Sequence, residues 1–323
     1  MTCTPRYLGI DISKEYFDVS LFSNGQYLNA TFKNNKKGFY QLRRWLKKRG
    51  VTSLHGCMEA TGRYGEALAL FLYEQGYTVS VVNPVRIKAY AASQLSRNKN
   101  DQLDARLIAH FCATQKPPIW FPPSPQLRIL RDLVRHLQVL KELRQQQINR
   151  LKAGEQTKEI EAALKTHIAF LSQQIKELSQ QIQAHIEANP ELKEQKELLL
   201  SIVGIGELTA ATILAEIGDI SAFESASQLA AYLGLTPQNR SSGKSVRGRP
   251  RMSKKGNRRL RKALYFPAIV GMRYNPILRS FAERLLARGK AKMVVIGAVM
   301  RKLAHLIYGV LSNKKPFDPA YGA

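Results

Sequence analysis

The first third of the chain combines two patterns of apolar and polar positions. Residues 6–12, 16–22 and 26–32 are short runs rich in β-branched and aromatic residues, typical of strands, and Asn24-Gly25 favours a hairpin turn. Helices and strands then alternate, predicted at 37–48, 54–59, 64–74 and 77–82, with further helices from Pro84 and Asp101. Hairpin-linked strands followed by alternating elements predict an α/β fold with a mixed sheet over residues 1–118.

A proline-rich stretch, residues 116–125, marks the end of this region, because five prolines in ten residues prevent a continuous helix. A helical segment is predicted at 126–188. Its apolar residues recur at alternating spacings of four and three, a heptad pattern formed by Leu164, Ile168, Leu171, Ile175, Leu178 and Ile182. The pattern fits a helical hairpin with its turn in 149–157, or a coiled coil between chains.

The last segment, residues 195–323, is predicted to be mainly α-helical. Its residues 201–217 have a Gly-x-Gly sequence before a helix, which is the pattern of a helix-hairpin-helix motif. Such a turn can offer backbone N–H groups to a phosphate. The motif is short, so it is weakly specific by itself.

Charge is concentrated in this last segment. The chain has a net charge of +26, and residues 240–323 hold 21 Lys or Arg against two acids. Cations at this density repel one another unless a polyanion compensates them, so a nucleic acid is the expected partner. The residues expected to contact it are Arg240, Lys244, Arg247, Arg249, Arg251, Lys254, Lys255, Arg258 and Arg259.

Cysteine usage and hydropathy indicate a cytoplasmic protein. The three cysteines, Cys3, Cys57 and Cys112, lie far apart in the sequence without a CxxC pair, which argues against a disulfide scaffold or a zinc site. The N-terminus carries charge where a secretory signal needs an apolar run, and the apolar run 293–300 is too short to span a bilayer.

Four acids are the candidate catalytic residues. Asp11 and Glu59 end predicted strands, so they converge if those strands are neighbours, and Asp101 and Asp104 share one face at the start of a helix. Clustered carboxylates suit Mg²⁺, and two such ions about 4 Å apart assist phosphoryl transfer. Taken singly, each acid has an ordinary alternative, such as a helix cap or an ion pair.

Residues 239–248 form the second candidate site. They are predicted to be a polar, cationic loop whose hydroxyls include Ser241 and Ser242, and flanking cations would stabilise a phosphate and lower the cost of an alkoxide. From spacing alone, a phosphate-binding loop whose serines only donate hydrogen bonds is favoured.

These motifs together resemble a known family. The segments that carry the resemblance are GIDISKEYFDVSL, MEATGRYGEAL, VNPVRIKAYAASQLSRNKNDQLDARLIA, IVGIGELTAATILAEIGD and LTPQNRSSGKSVRGRPRMSKKGNRRLRKALY. They resemble the bridge-RNA-guided DEDD transposases of the insertion-sequence one-ten family. The likeness covers nearly the whole chain in order, with the central helical segment least distinctive.

The resemblance implies a RuvC-like, RNase H-type N-terminal domain, a helical coiled-coil segment and a C-terminal transposase domain. Asp11, Glu59, Asp101 and Asp104 would bind Mg²⁺. The family's nucleophilic serine precedes a glycine, which matches Ser242, although Ser241 lies beside it. A non-coding bridge RNA would pair with donor and target DNA, and the chain would work as a dimer that forms a tetramer in the synaptic complex.

Three other functions fit parts of the sequence. A hydrolytic nuclease or junction resolvase would use the same acids without a serine. A sugar-kinase or actin-like ATPase would need a second Gly-rich phosphate loop, which the sequence lacks. A non-catalytic nucleic-acid-binding protein would explain the cations, but all four acids stand at the matching positions.

Overall fold

The computed structural model describes residues 5–60, 62, 64–94, 101–154, 157–242 and 246–320, without the side chains of 101–102 and 239–250. Contacts divide the chain into two compact units, Met1–Pro122 and Pro123–Ala323. Each unit has its own apolar core.

Unit 1 is a five-stranded sheet with helices on both faces. Its elements are β1 (Tyr7–Ile12), β2 (Tyr16–Ser23), β3 (Gln26–Lys33), α1 (Lys36–Lys47), β4 (His55–Glu59), α2 (Glu66–Glu74), β5 (Thr78–Val82), α3 (Pro84–Ser93) and α4 (Asp101–Gln115). The strand order is β3-β2-β1-β4-β5. The hairpin pairs β1–β2 and β2–β3 are antiparallel, whereas β1–β4 and β4–β5 are parallel. The predicted mixed α/β sheet is therefore confirmed.

The two faces of the sheet bury different side chains, because successive residues of a strand point to opposite sides. Leu8 and Ile10 face a core completed by α1 and α2, to which Phe39 and Leu72 contribute. Cys57 faces a smaller core, together with Ile87 of α3 and with Ile108, Phe111 and Cys112 of α4. The sheet thus has an α1/α2 face and an α3/α4 face.

Unit 2 is mostly helical. Its elements are α5 (Pro125–Ala153), α6 (Lys158–Glu187), α7 (Pro190–Leu200), α8 (Glu207–Ile217), a 3₁₀ turn (Ile220–Ala222), α9 (Ala226–Tyr232), β6 (Pro237–Ser242), β7 (Val246–Met252), α10 (Arg258–Ala263), α11 (Tyr265–Tyr274), α12 (Pro276–Ala287) and α13 (Lys292–Asn313). Gly206 lies directly before α8, as the Gly-x-Gly pattern predicts. The core gathers around α8 and α13, which bury most of their apolar residues.

Helices α5 and α6 pack against each other as an antiparallel hairpin. The ring of His185 lies 2.9 Å from the carbonyl oxygen of Gln126, and the Arg144 guanidinium lies 3.5 Å from the hydroxyl of Ser172. Leu137 of α5 is buried in the same core as α6 residues of the heptad pattern. Of the two structures predicted for this segment, the fold shows the hairpin within one chain. A coiled coil between chains stays a prediction.

Two expectations differ from the structure. Residues 239–248 are not a loop throughout, because β6 and β7 pair as an antiparallel hairpin in which Arg240 faces Gly248. The apolar run 293–300 is part of helix α13, which is 22 residues long and by length and composition apolar enough to cross a membrane. In the fold, 56% of the apolar stretch of this helix is buried, as is typical of a core helix.

Candidate active site

Helix α4 lies in direct backbone contact with β1 because Gly9 has no side chain. A Cβ atom at Gly9 would overlap the carbonyl oxygen of Ala105 and the backbone of Ala109. The two alanines are fully buried, and they allow this close approach from the helix side. Gly9 therefore fixes the height of α4 above the sheet.

Asp11 and Glu59 end neighbouring parallel strands on the α3/α4 face. The register pairs Ile10 with Met58, so the next residues, Asp11 and Glu59, are adjacent at the same end of the sheet. Asp11 lies two residues after Gly9, and Glu59 two residues after Cys57, so both point to the side that α4 covers. Both carboxylates are half-buried.

The start of α4 lies toward the same end of the sheet. The Cys112 thiol donates to the carbonyl of His55, at the beginning of β4, over 3.7 Å, while Ala105 lies over Gly9. The helix therefore runs antiparallel to β1, with its N-terminus directed toward Asp11. Asp104 is half-buried one turn before Ile108.

Asp101 is the first residue of α4, one turn before Ala105, and its side chain lies outside the described residues. The fold thus brings Asp11, Glu59 and the start of α4 to one end and one face of the sheet. Carboxylates in this arrangement are the ligand type that Mg²⁺ prefers. Among the described side chains, no three His, Cys, Asp or Glu residues form a metal-binding group, so Asp11, Glu59 and Asp104 do not make one by themselves.

Asp18 is a fifth acid beside this site that the sequence patterns did not single out. It pairs with Asp11 across the β1–β2 ladder, and directly paired residues lie on the same face of a sheet. The Thr31 hydroxyl of β3 donates a hydrogen bond to its carboxylate. In the sequence, Asp18 could have been noticed as a charged residue within the strand Tyr16–Ser23. Its meaning becomes clear only when the strand register places it opposite Asp11.

Two cysteines that are far apart in the sequence lie together beneath the acids. Cys57 of β4 and Cys112 of α4 are buried free thiols in hydrogen-bond contact. This hydrogen bond and burial raise the pKa of the Cys57 thiol. Folding α4 over β4 thus joins two cysteines that are far apart in the sequence, and both are free thiols.

Ser242 is the last residue of β6 and pairs with Val246 of β7, while Ser241 pairs with Arg247. Both serines thus lie next to the tip of a basic hairpin, whose residues 243–245, including Lys244, lie outside the described residues. Arg240, Arg247 and Arg249 are in the strands, and their side chains are not described. The remaining predicted contact residues, Arg251, Lys254, Lys255, Arg258 and Arg259, are exposed.

A buried acid anchors the segment that follows this hairpin. The Glu216 side chain is 2% exposed, and its carboxylate accepts two hydrogen bonds from the Arg135 guanidinium, at 2.7 and 3.2 Å. The Asn257 amide donates to the same carboxylate at 2.9 Å, and Arg259 lies 3.9 Å away. Burial alone would raise the pKa of Glu216, but the hydrogen bonds from Arg135 and Asn257 outweigh it, so the pKa is lowered.

Asn257 connects this acid to the predicted nucleic-acid surface. Its side chain also caps α10 by accepting from the backbone N–H groups of Arg259 and Leu260, at 3.0 and 3.1 Å. One carboxylate on α8 therefore holds the start of a helix whose exposed residues are cations. Sequence reasoning missed Glu216, because only the fold shows that it is buried and paired.

Comparison with known proteins identifies the family of this chain. The profile of DEDD transposases of the IS110 type, described as "Transposase", matches residues 8–154, and the profile described as "Transposase IS116/IS110/IS902 family" matches residues 196–283. The first match covers the sheet with its acids, and the second runs from α7 to α12. This chain is therefore a DNA transposase or recombinase.

Whole-length relatives support the same class. The chain is 37% identical over 320 residues to proteins named "Pilin gene-inverting protein" from Moraxella bovis and from Moraxella lacunata, and the alignments cover 97% of each chain. It is 32% identical over 151 residues to the "Insertion element IS110 uncharacterized 43.6 kDa protein" of Streptomyces coelicolor, covering 47% of this chain and 36% of the relative. The chain belongs to the IS116/IS110/IS902 family of insertion-sequence transposases.

Proposed function

We propose that this chain cuts and rejoins DNA strands at the ends of an insertion sequence with a composite metal-and-serine site, and that a bridge RNA selects donor and target. The observation that carries the metal half is the adjacency of Asp11 and Glu59 in the β1–β4 register, at the end of the sheet toward which α4 begins. The serine half rests on the position of Ser242 beside the tip of a cationic hairpin.

Asp11, Glu59, Asp101 and Asp104 would hold two Mg²⁺ ions. Bound Mg²⁺ supplies charge neutralisation at the transferred phosphate and activation of an oxygen. The protein's own part is to keep the carboxylates close together despite their mutual repulsion. The contact between Gly9 and α4 does this on the sheet side, and the N-terminal dipole of α4 stabilises the negative charge of Asp101 and Asp104.

The Ser242 hydroxyl is the proposed nucleophile. Its attack on a DNA phosphate forms an Oγ–P ester and releases the hydroxyl proton, while the bond to one deoxyribose oxygen breaks and that oxygen takes up a proton to become a strand hydroxyl. Attack by another strand's hydroxyl reverses these changes, so the phosphodiester is conserved during exchange. Nearby cations such as Arg240 and Arg247 lower the cost of forming the serine alkoxide.

The assembly follows from the same proposal. The acids of one protomer would meet the serine hairpin of another, so the active form is a homodimer, and two dimers would form the synaptic tetramer in the cytoplasm. The predicted coiled-coil segment, 126–188, would help to join protomers. It lies between the predicted catalytic region 1–118 and the transposase region 195–323, whose basic residues would bind DNA and RNA.

Strand cleavage tests this function directly. Purified protein is incubated with supercoiled donor and target plasmids, Mg²⁺ and RNA transcribed from the element's flanks. Wild type is compared with Asp11→Asn, Ser242→Ala and Ser241→Ala, the last being the matched control. Products are resolved on denaturing gels with and without protease.

We expect a protease-sensitive DNA adduct with wild type and with Ser241→Ala, and none with the other two variants. Cleavage that persists in Ser242→Ala without an adduct would favour a hydrolytic nuclease or resolvase with the same acids. If Ser241→Ala alone removes the adduct, the nucleophile is Ser241. Binding without any cleavage would indicate a non-catalytic nucleic-acid-binding protein.

A further inference from the structure

Helix α1 carries a cationic surface that the acidic and serine sites leave unexplained. Its apolar side, including Phe39, Leu42 and Leu46, is buried on the α1/α2 face of the sheet. The opposite side shows two adjacent rows at helical spacing. One row is Lys36, Tyr40, Arg43 and Lys47, and the other is Lys37, Gln41, Arg44 and Lys48.

The charge of this surface is uncompensated. No acid occurs between Asp18 and Glu59 in the sequence, a stretch that holds eight Lys or Arg. Within the described part of unit 1, none of the cations in the two rows forms an ion pair. The cations of α6 differ, since Lys165 pairs with Glu161 at 2.6 Å.

Helix stability explains only some of these cations, because Arg44 and Lys47 lie in the last turn, where the helix dipole favours positive charge. Lys36 and Lys37 occupy the first turn, where the helix dipole disfavours positive charge, and that turn contains no acid. Arg43 and Lys47, like Arg44 and Lys48, are like charges four residues apart, which repel. In the first turn and in these like-charged pairs the sequence opposes its own local structure, which is typical of a binding surface.

A cavity of about 280 Å³ opens at the C-terminal end of the first row. Arg43 and Lys47 line it together with the polar side chains of Thr52, Gln75 and Tyr77. Two cations beside hydroxyl and amide groups offer several hydrogen-bond donors to one phosphate. The exposed ring of Tyr40, held edge-on by Phe71, adds a flat surface between the cations.

We propose that this surface binds the phosphate backbone of a nucleic acid, and we call it the α1 surface. The twelve residues from Lys36 to Lys47 extend about 16 Å, which matches the span of about five successive phosphates on one strand of a duplex. Because α1 and the acids lie on opposite faces of the sheet, the nucleic acid held here is bound for positioning and is not cut at this place. The inference rests on the proposed function only in assuming that the chain acts on nucleic acid.

Salt-dependent binding tests the α1 surface. One variant replaces Lys37, Arg44, Lys47 and Lys48 with Gln. The control replaces Lys158, Lys165, Lys176 and Lys193 with Gln, which removes the same charge from exposed positions of α6 and α7 near acids. Affinity for a 30-base-pair duplex DNA, and separately for RNA transcribed from the element's flanks, is measured at several salt concentrations.

We expect the α1 variant to lose about tenfold or more in affinity at low salt. The plot of log K against log salt should also become less steep by about 2 to 4 units, because each lost contact with duplex DNA removes about 0.9 from the slope. A change confined to the DNA arm assigns the surface to DNA, and one confined to the RNA arm assigns it to RNA. Equal slopes for wild type, variant and control in both arms would overturn the proposal, as would absence of wild-type binding.

Two readouts keep this test independent of folding and of catalysis. The thermal unfolding midpoint of the α1 variant should stay close to that of wild type, because the lost like-charge repulsion and the lost dipole stabilisation at Arg44 and Lys47 oppose each other. Adduct formation at saturating nucleic acid should be unchanged. If the adduct test fails while the binding slope changes, the catalytic proposal is wrong and the α1 surface remains.

Discussion

Gly9 of β1 and Ala105 of α4 touch through their backbones, so no side chain fits between them at this point. Asp11 lies two residues after Gly9, and Asp104 immediately precedes Ala105. The spacing between the sheet and the helix that carries two of the candidate acids is therefore set by a residue that has no chemistry of its own.

Replacing Gly9 with Ala should disable the site and destabilise unit 1. The added methyl overlaps main-chain atoms, which cannot move as a flexible side chain can, so we expect a loss of about 1–3 kcal/mol in the free energy of unfolding. Denaturant unfolding and the adduct assay measure the two effects. Gly56→Ala on β4 is the control, because a Cβ atom there meets only ordinary contacts at 3.7–3.8 Å. Equal behaviour of both variants would contradict the role given to Gly9.

Asp18→Asn should weaken the metal requirement without abolishing chemistry. Removing one negative charge from a strand paired with that of Asp11 costs about 1 kcal/mol of cation attraction in a partly solvated site. The Mg²⁺ concentration for half-maximal cleavage should then rise roughly three- to tenfold, since 1.4 kcal/mol corresponds to a factor of ten. A Mg²⁺ titration of cleavage measures this. The exposed Glu74→Gln is the control, and an unchanged titration for Asp18→Asn would remove Asp18 from the site.

Glu216→Gln should destabilise unit 2 in a pH-dependent way. The substitution leaves the Arg135 guanidinium without its buried anion, which typically costs about 3–5 kcal/mol. The folded-state pKa of Glu216 is lowered, so its contribution is fully present above the pKa of the unfolded chain, about 4.3, and is lost as the pH falls through the folded-state value. Urea unfolding at pH 7 and at pH 4 and below should show the difference between wild type and variant shrinking with acid.

Glu283→Gln provides the comparison for that prediction. Its partner Arg279 lies 2.9 Å away, but both side chains are 62% exposed, so water screens the pair. We expect a change within about 0.5 kcal/mol at neutral pH. If Glu216→Gln changes stability no more than Glu283→Gln, the buried pairing with Arg135 does not hold this part of the fold together.

Because α5 and α6 pack as a hairpin within one chain, the contribution of their contact to the free energy of unfolding should not depend on protein concentration. Leu137 is 1% exposed in the core that joins the two helices, so Leu137→Ala should cost about 2–5 kcal/mol at any protein concentration. Val139, two residues along the same helix, is 49% exposed, and Val139→Ser should change the unfolding midpoint little. Unfolding at two concentrations tenfold apart checks both. A wild-type midpoint that rises with concentration would reveal the contact between protomers proposed for this segment, whereas a Leu137→Ala effect that disappears at the lower concentration would contradict the hairpin within one chain.

The sequence is informative where local pattern and burial coincide. The strands of unit 1 follow from alternating apolar residues and from Asn24-Gly25, and their observed ends lie within about two residues of the predicted ones. The β6–β7 hairpin could not be predicted in this way. Its strands consist largely of Arg, Ser, Gly and Pro, so neither has an apolar face that would give a period of two.

Contacts between residues that are distant in the sequence could not be predicted from local sequence patterns. Cys57 and Cys112, Asp11 and Asp18, and Glu216 with Arg135 become neighbours only through strand register or helix packing. The likeness to transposases named four acids because it compares whole motifs. The fifth acid, Asp18, lies within the first of these motifs without an assigned role, and its position beside Asp11 becomes visible only through the ladder with β1.

In unit 1 the candidate acids lie on the α3/α4 face of the sheet, whereas the cations of α1 lie on the outer side of the opposite face. Between them lie the sheet and its apolar core. Outside, salt water screens charges over about 8–10 Å, so each field acts mainly on the solvent next to its own face. A single sheet can thus attract metal cations on one side while it attracts phosphates on the other.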